Sequence, residues 1–230
     1  MVTGAVLTTH LAHQHPEHTV VLASGGVNST VLAYWLAARH SRLTLVTLGH
    51  GQPHRIAINR ASVLAQALDC GHRVMDVTAL LDHGAGSFRS QLKPVSSLPK
   101  QGTAPGGAPV PHEVMLDVAV SVAVAVRADA VASGVRVARP SPTYPRSPLD
   151  QGDAWAGLRL LTPFAGLPAA AVVRLGTALG VPFAGTWSCA RAEPPHCGLC
   201  APCVERRRAF HATGIVDLTT YQDTRRWEAG

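Results

Sequence analysis

No stretch of the chain is apolar for the roughly eighteen residues that a bilayer-crossing helix requires, so no segment reads as a membrane span. The N-terminus lacks the basic-then-apolar order of a secretory signal. Residues 1–18 instead carry His10, His13, His15 and His18, and read as a flexible lead or loose edge strand, with adventitious metal binding the sharper alternative. A cytoplasmic location is the expectation. Internal repeats are absent. Charge is sparse, at 15% of residues, whereas 47% are hydrophobic, which supplies one core of good size and argues against a disordered chain. The net charge of +6 favours anionic company, either phosphate-bearing small molecules or RNA. The basic residues are scattered except at 206–208 and 225–226.

Cysteine is also scarce, except in one place. Four of the five cysteines, Cys189, Cys197, Cys200 and Cys203, share one C-x7-C-x2-C-x2-C window. Two C-x2-C steps sharing Cys200 bring three sulfurs near one point, and a turn over 190–196 can deliver the fourth. Four thiolates suit a tetrahedral Zn²⁺ and leave no position open for water, which makes such a metal structural. Disulfides would need an oxidising compartment, and an iron–sulfur cluster takes the same ligand number. Pro194, Pro195, Gly198 and Pro202 make this segment a poor source of packing energy, so the metal itself would order it. His196 is expected beside the metal, not on it. The fifth cysteine, Cys70, reads as a buried apolar residue.

Upstream, apolar runs alternate between strand and helix character. Strands are predicted at 19–23, 43–48, 72–77 and 130–133, with a short one at 158–163. Helices are predicted at 28–38, 55–68, 113–127, 169–179 and 204–212. In the second helix, Ile58, Ala61, Val63, Ala65 and Leu68 are expected on or near the core face. Residues 88–111 and 136–155 are Gly/Pro-rich connections, the first of them either a flap or simply disordered. The pattern predicts an α/β domain, a doubly wound parallel sheet over 19–180, with a small C-terminal zinc-binding lobe over 181–230.

The first strand breaks into Ser24, Gly25, Gly26, Val27, Asn28, Ser29 and Thr30, which opens a helix. Such a loop lies beyond the C-terminal end of a parallel strand, where ligands bind. It presents free amides at the positive end of a helix dipole, a cradle for phosphate, with the Ser24, Ser29 and Thr30 hydroxyls as further donors. An ordinary glycine turn capped by Asn28 or Ser29 is the plainer reading. The absence of a following lysine excludes the G-x4-G-K-[ST] loop.

Residues 24–30 resemble the SGGxDST pyrophosphate loop of the PP-loop ATP-pyrophosphatase superfamily, whose fold is adenine nucleotide alpha hydrolase-like. Residues 186–189 and 196–206 are similar to the C-terminal zinc segment of the 7-cyano-7-deazaguanine synthases. Weaker echoes are Gln52-Pro53-His54, Val110-Pro111 and Leu161-Thr162-Pro163-Phe164. On these residues the chain is identified as a divergent member of that family. The resemblance implies an ATP-dependent carbon–nitrogen ligase of queuosine biosynthesis, with ATP and Mg²⁺ as substrate and structural Zn²⁺. It implies that a 7-carboxy-7-deazaguanine or related acid is adenylated for reaction with ammonia to amide and then nitrile. Gln52, His54 and Trp187 are the candidate substrate contacts, Trp187 and Phe183 by stacking, although both also suit packing beneath the metal lobe. A homodimer and an RNA or protein target stay open.

Departures from the family pattern are as informative. Asn28 stands where the loop has Asp. Pro111-His112-Glu113-Val114 replaces P-G-R-N, Tyr144-Pro145-Arg146-Ser147-Pro148 replaces aromatic-Pro-Asp-Cys-Arg, and Pro168-Ala169-Ala170 lacks a lysine. Two further functions therefore remain: the same chemistry on another carboxylate, or a non-catalytic nucleotide- or partner-binding homologue.

Overall fold

The computed structural model describes residues 15–49, 55–77, 112–136, 158–191 and 193–224. The elements are β1 (His18–Leu22), α1 (Val27–Ala37), β2 (Arg42–Gly49), α2 (Arg55–Ala67), β3 (Gly71–Asp76), α3 (His112–Val126), β4 (Ala130–Ala132), β5 (Arg159–Leu161), α4 (Ala169–Ala178) and α5 (Ala201–His211), with a 3₁₀ turn at Phe183–Gly185. The expected helix beginning at 204 in fact starts at Ala201. Cys200 is its N-cap and Pro202 lies in its first turn, where a missing N–H is harmless. The fourth cysteine of the window thus sits inside the helix and does not precede it.

All five strands pair in parallel in the order β3-β2-β1-β4-β5. Chain order reverses beside β1, so the crevice between β1 and β4 is the place where a doubly wound sheet receives ligands. Successive side chains of a strand point to opposite faces. Val21, Leu45 and Ala132 accordingly pack with α1, α2 and α4 on one face, through Leu32, Leu36, Ala61, Leu64 and Val172. Val20, Val46 and Val131 pack on the other face with α3, through Leu116, Ala119, Val120 and Ala123. Both faces being covered explains why β1, β2 and β4 read as apolar runs, whereas the edge strand β3 is largely exposed.

One expected core position is wrong. Val63 is 54% exposed, and Leu64 takes its place beside Ala61 and Ala65. A 100° helical step puts 61, 64, 65 and 68 on one stripe and carries 63 away from it. Cys70 is half-buried against the same core, and burial pushes its thiol up to about 11, aided by nearby Asp69. Among the described residues no helix is long and apolar enough to cross a membrane. The histidine-rich lead before His15, the 88–111 connection and nearly all of 136–155 lie outside the described residues.

Candidate functional site

β1 delivers the chain to Ser24, which is exposed, and then to a turn that only glycine makes easily. Gly25 has φ +68°, and a Cβ there would lie 2.6 Å from the Ala57 carbonyl oxygen and 2.8 Å from Arg60 Cβ. The Gly25 carbonyl accepts a hydrogen bond from the Trp187 amide at 2.8 Å, tying the loop to the segment before the cysteines. Gly26 is the N-cap of α1, with extended backbone, no capping side chain and no acidic residue in the first turn. The helical ladder starts with the Thr30 amide donating to the Gly26 carbonyl at 3.1 Å, so the amides of Val27, Asn28 and Ser29 precede it.

The hydroxyls divide in a way that sequence did not indicate. Ser29 is buried; its Oγ donates to the Gly26 carbonyl and accepts from the Ser24 amide, both at 3.2 Å, and lies 3.2 Å from Ser24 Oγ. Thr30 is buried as well. Ser29 therefore shapes the loop, and Ser24 is the hydroxyl the loop exposes. Ser24, Gly26, Val27 and Asn28 line a cleft of about 190 Å³ together with Arg136, Trp187, Ser188 and α5 side chains from Pro202 to Phe210. That is smaller than the roughly 300 Å³ or more of pockets that enclose whole ligands. A phosphate or pyrophosphate group fits that volume. Gln52 and His54 lie outside the described residues, between the C-terminal end of β2 and α2.

The cysteines converge. The sulfurs of Cys189, Cys197, Cys200 and Cys203 all lie within 4.8 Å of one another, the only such cluster of potential metal ligands among the described residues. Sulfurs about 2.3 Å from a tetrahedral centre would stand about 3.8 Å apart, so a small closure completes the geometry. Backbone amides already point at sulfur: Ala190 to Cys200, Arg191 and Cys197 to Cys189, and Cys200 to Cys197, at 3.3–3.4 Å. Burial raises the thiols of Cys189 and Cys203. At Cys197 burial also acts upward, but amide and thiol hydrogen bonds outweigh it and bring the group down to about 7. Four converging sulfurs with amide donors and no competing cation among them fit a tetrahedral metal ion, which would offset the cost of ionising the buried pair. Gly198 makes the knuckle between two of them possible: it has φ +83°, and a Cβ would meet the Asp223 carbonyl oxygen at 2.7 Å.

His196 is not in this cluster. Its Nε2 accepts from the Ser188 amide at 3.1 Å, and its ring lies 4.0 Å from that of Trp187 and 5.8 Å from that of Tyr221. Burial and the Arg206 guanidinium lower it to about 4, which keeps that nitrogen free to accept. Trp187 itself is 9% exposed and packs in the cysteine cluster while bordering the cleft. Phe183 stacks edge-on with Phe210, 5.0 Å away, and so packs beneath α5.

The basic run 206–208 is not a surface patch. Helical spacing turns Arg206 inward, to 4% exposure, where all its N–H groups are used. It grips Asp217 through two nitrogens at 3.1–3.2 Å and donates to Thr186 Oγ1 at 2.6 Å, Ser188 Oγ at 3.3 Å and the Phe183 carbonyl at 2.9 Å. Asp217 also accepts from Tyr221 Oη and the Thr219 amide. Burial alone would raise its carboxyl, but Arg206 and Tyr221 hold it low. Arg207 lies over the Tyr221 ring. This clamp fastens α5 to the segment that contacts the 24–30 loop.

The model of the family described as queuosine biosynthesis protein QueC matches residues 18–214, nearly the whole chain. The chain belongs to that family. The 7-cyano-7-deazaguanine synthase of Rhizobium johnstonii is 34% identical over 223 residues, covering 92% of this chain and 94% of that protein. The synthase of the same name from Ruegeria pomeroyi is 34% identical over 233 residues, covering 92% and 97%. The structure of NMN synthetase from Francisella tularensis superposes with a TM-score of 0.51 at 18% identity, over 89% of this chain and 90% of that one, which shows a shared fold. As a QueC-family protein the chain is an ATP-utilising, ligase-type enzyme on a PP-loop sheet, as the sequence resemblance implied.

Proposed function

We propose that this chain converts 7-carboxy-7-deazaguanine, or a closely related acid, to the nitrile at the expense of ATP. The carboxylate attacks the α-phosphorus of ATP, forming an acyl-adenylate and expelling pyrophosphate. Ammonia then attacks the acyl carbon and expels AMP, leaving the amide. A second ATP activates the amide oxygen, again with loss of pyrophosphate, and departure of AMP leaves the nitrile. The observation that carries this reading is the uncapped N-terminus of α1, opening on a pyrophosphate-sized cleft at the β1/β4 crevice in a QueC-family chain.

In this reading the amides of Val27, Asn28 and Ser29, the Gly25–Gly26 turn and the Ser24 hydroxyl receive the leaving pyrophosphate, stabilising charge as it develops. Thr30 starts the helical ladder behind them. Mg²⁺ would be held chiefly by the phosphate oxygens, because Asn28 offers a neutral amide. Gln52, His54 and Trp187 are the proposed contacts of the acid. Cys189, Cys197, Cys200 and Cys203 are the proposed ligands of one structural Zn²⁺, which would supply rigidity with no open coordination position. A C-terminal lobe over 181–230 would then brace one side of the cleft carried by the 19–180 domain.

The deciding experiment measures pyrophosphate release from ATP and Mg²⁺ with ammonium, with and without the carboxy-deazaguanine. Release that depends on the acid, with the nitrile found by mass spectrometry, is expected. No acid-dependent release would refute the assignment. Asn28 favours a second reading, a homologue that binds nucleotide without turnover. Asn28→Asp separates the two: a chain that lost activity gains Mg²⁺-dependent turnover, whereas an active one changes little.

A further inference from the structure

We propose that Arg136 is a phosphate-binding residue of this cleft and that Glu205 is its counter-ion while the cleft is empty; this rests on the assignment of the 24–30 loop to pyrophosphate. The position follows from the topology. β4 ends at Ala132 beside β1, and Gly134 then presses on the first turn of α1, where an added Cβ would lie 3.0 Å from the Asn28 carbonyl. Arg136 follows two residues later and lines the same cleft as Ser24, Gly26 and Asn28.

The side chain is incompletely satisfied for its burial. Its side-chain exposure is 14%, and Nε, fully enclosed, has no hydrogen-bond partner among the described residues. One Nη reaches the Leu167 carbonyl only at 3.4 Å, and the other pairs with Glu205 on α5. A guanidinium presents a rigid fork of donors suited to phosphate, and a buried donor left unmade is costly. Glu205, at 59% exposure, can leave for solvent with little penalty, whereas Arg136 cannot. An arriving phosphate oxyanion would displace the carboxylate and take over the Nη donors that Glu205 engages. Arg136 thereby supplies a cation to a cleft whose loop has the uncharged Asn28 and no following lysine.

Calorimetric titration of inorganic pyrophosphate with Mg²⁺ into the wild type, Arg136→Gln, Arg136→Lys and Glu205→Gln tests this. Arg136→Gln should weaken binding about tenfold or more, the scale of a lost charge-assisted contact. Arg136→Lys should fall between, and Glu205→Gln should tighten binding because its competition is gone. A simple strut between β4 and α5 would behave differently, with both single variants losing melting temperature and neither tightening pyrophosphate. That outcome, or an Arg136→Gln affinity within twofold of wild type, overturns the proposal. So does an unchanged pyrophosphate affinity paired with a raised KM for the acid, which would assign Arg136 to the carboxylate. If the wild type itself does not bind pyrophosphate, the loop assignment falls as well; if it binds and Arg136→Gln binds equally, only the Arg136 role falls.

Discussion

Replacing Arg206 by Met keeps most of the stem and removes the charged fork, and the structure fixes what is lost. Asp217, whose side chain is 11% exposed, would keep only the Tyr221 hydroxyl and the Thr219 amide. Thr186, Ser188 and the Phe183 carbonyl would each lose a donor. Breaking a buried ion pair by removing one partner costs about 3–5 kcal/mol, because the remaining charge is stranded. In a chain of this size each kcal/mol moves the melting temperature about 2–4 °C. Arg206→Met should therefore melt about 6–20 °C below wild type in differential scanning fluorimetry. Arg206→Lys, which retains charge but not the fork, should lose less. Asp217→Asn combined with Arg206→Met should be scarcely worse than Arg206→Met alone, since both act on one interaction. Pyrophosphate affinity should fall too, because the clamp holds the segment whose Trp187 amide grips Gly25. A shift under about 2 °C, or single losses that add fully, would refute the view of Arg206 as the clamp of this lobe.

Elemental analysis of the purified protein should find one metal ion per chain, zinc if the sample is colourless and iron with sulfide if it is brown. Cys200→Ala should release the metal and lower the melting temperature, and because Cys200 is the least buried of the four, little of that loss would be packing; retained metal would refute the four-sulfur set. Gly25→Ala should abolish pyrophosphate binding, because its methyl would meet the Ala57 carbonyl at 2.6 Å; wild-type affinity would mean that the turn tolerates rearrangement. His18 is buried, with Nε2 2.9 Å from Thr44 Oγ1 and Nδ1 2.9 Å from an Arg42 nitrogen. Burial and then Arg42 lower it, against the opposing pull of Asp129. A group held below its unfolded value stabilises above about pH 6.5 and loses that contribution as pH falls further. Urea midpoints should drop between neutral and mildly acidic pH, and His18→Gln should flatten the drop; an identical slope in the variant would remove His18 as its source.

Much of this protein was legible in residue order because its information is local. The alternation of apolar strands and helices, the glycine pair after β1 and the two shared C-x2-C steps each act within a few residues, so spacing alone predicts a parallel sheet, a loop at a helix N-terminus and converging sulfurs. Even there, helical geometry decided details, moving the core position from Val63 to Leu64 and placing Cys203 within α5. Which polar groups meet across the chain was another matter. Arg206 reads as one of three consecutive arginines until folding buries it on Asp217, and Ser29 reads as a phosphate donor until its hydroxyl closes the loop on itself. Arg136 and Glu205 are 69 residues apart and carry no motif. Only the crossover that places β4 beside β1, and the packing of α5 against α4, bring that pair to the cleft, because hydrogen bonds and charges are satisfied in three dimensions and leave no periodic trace in sequence.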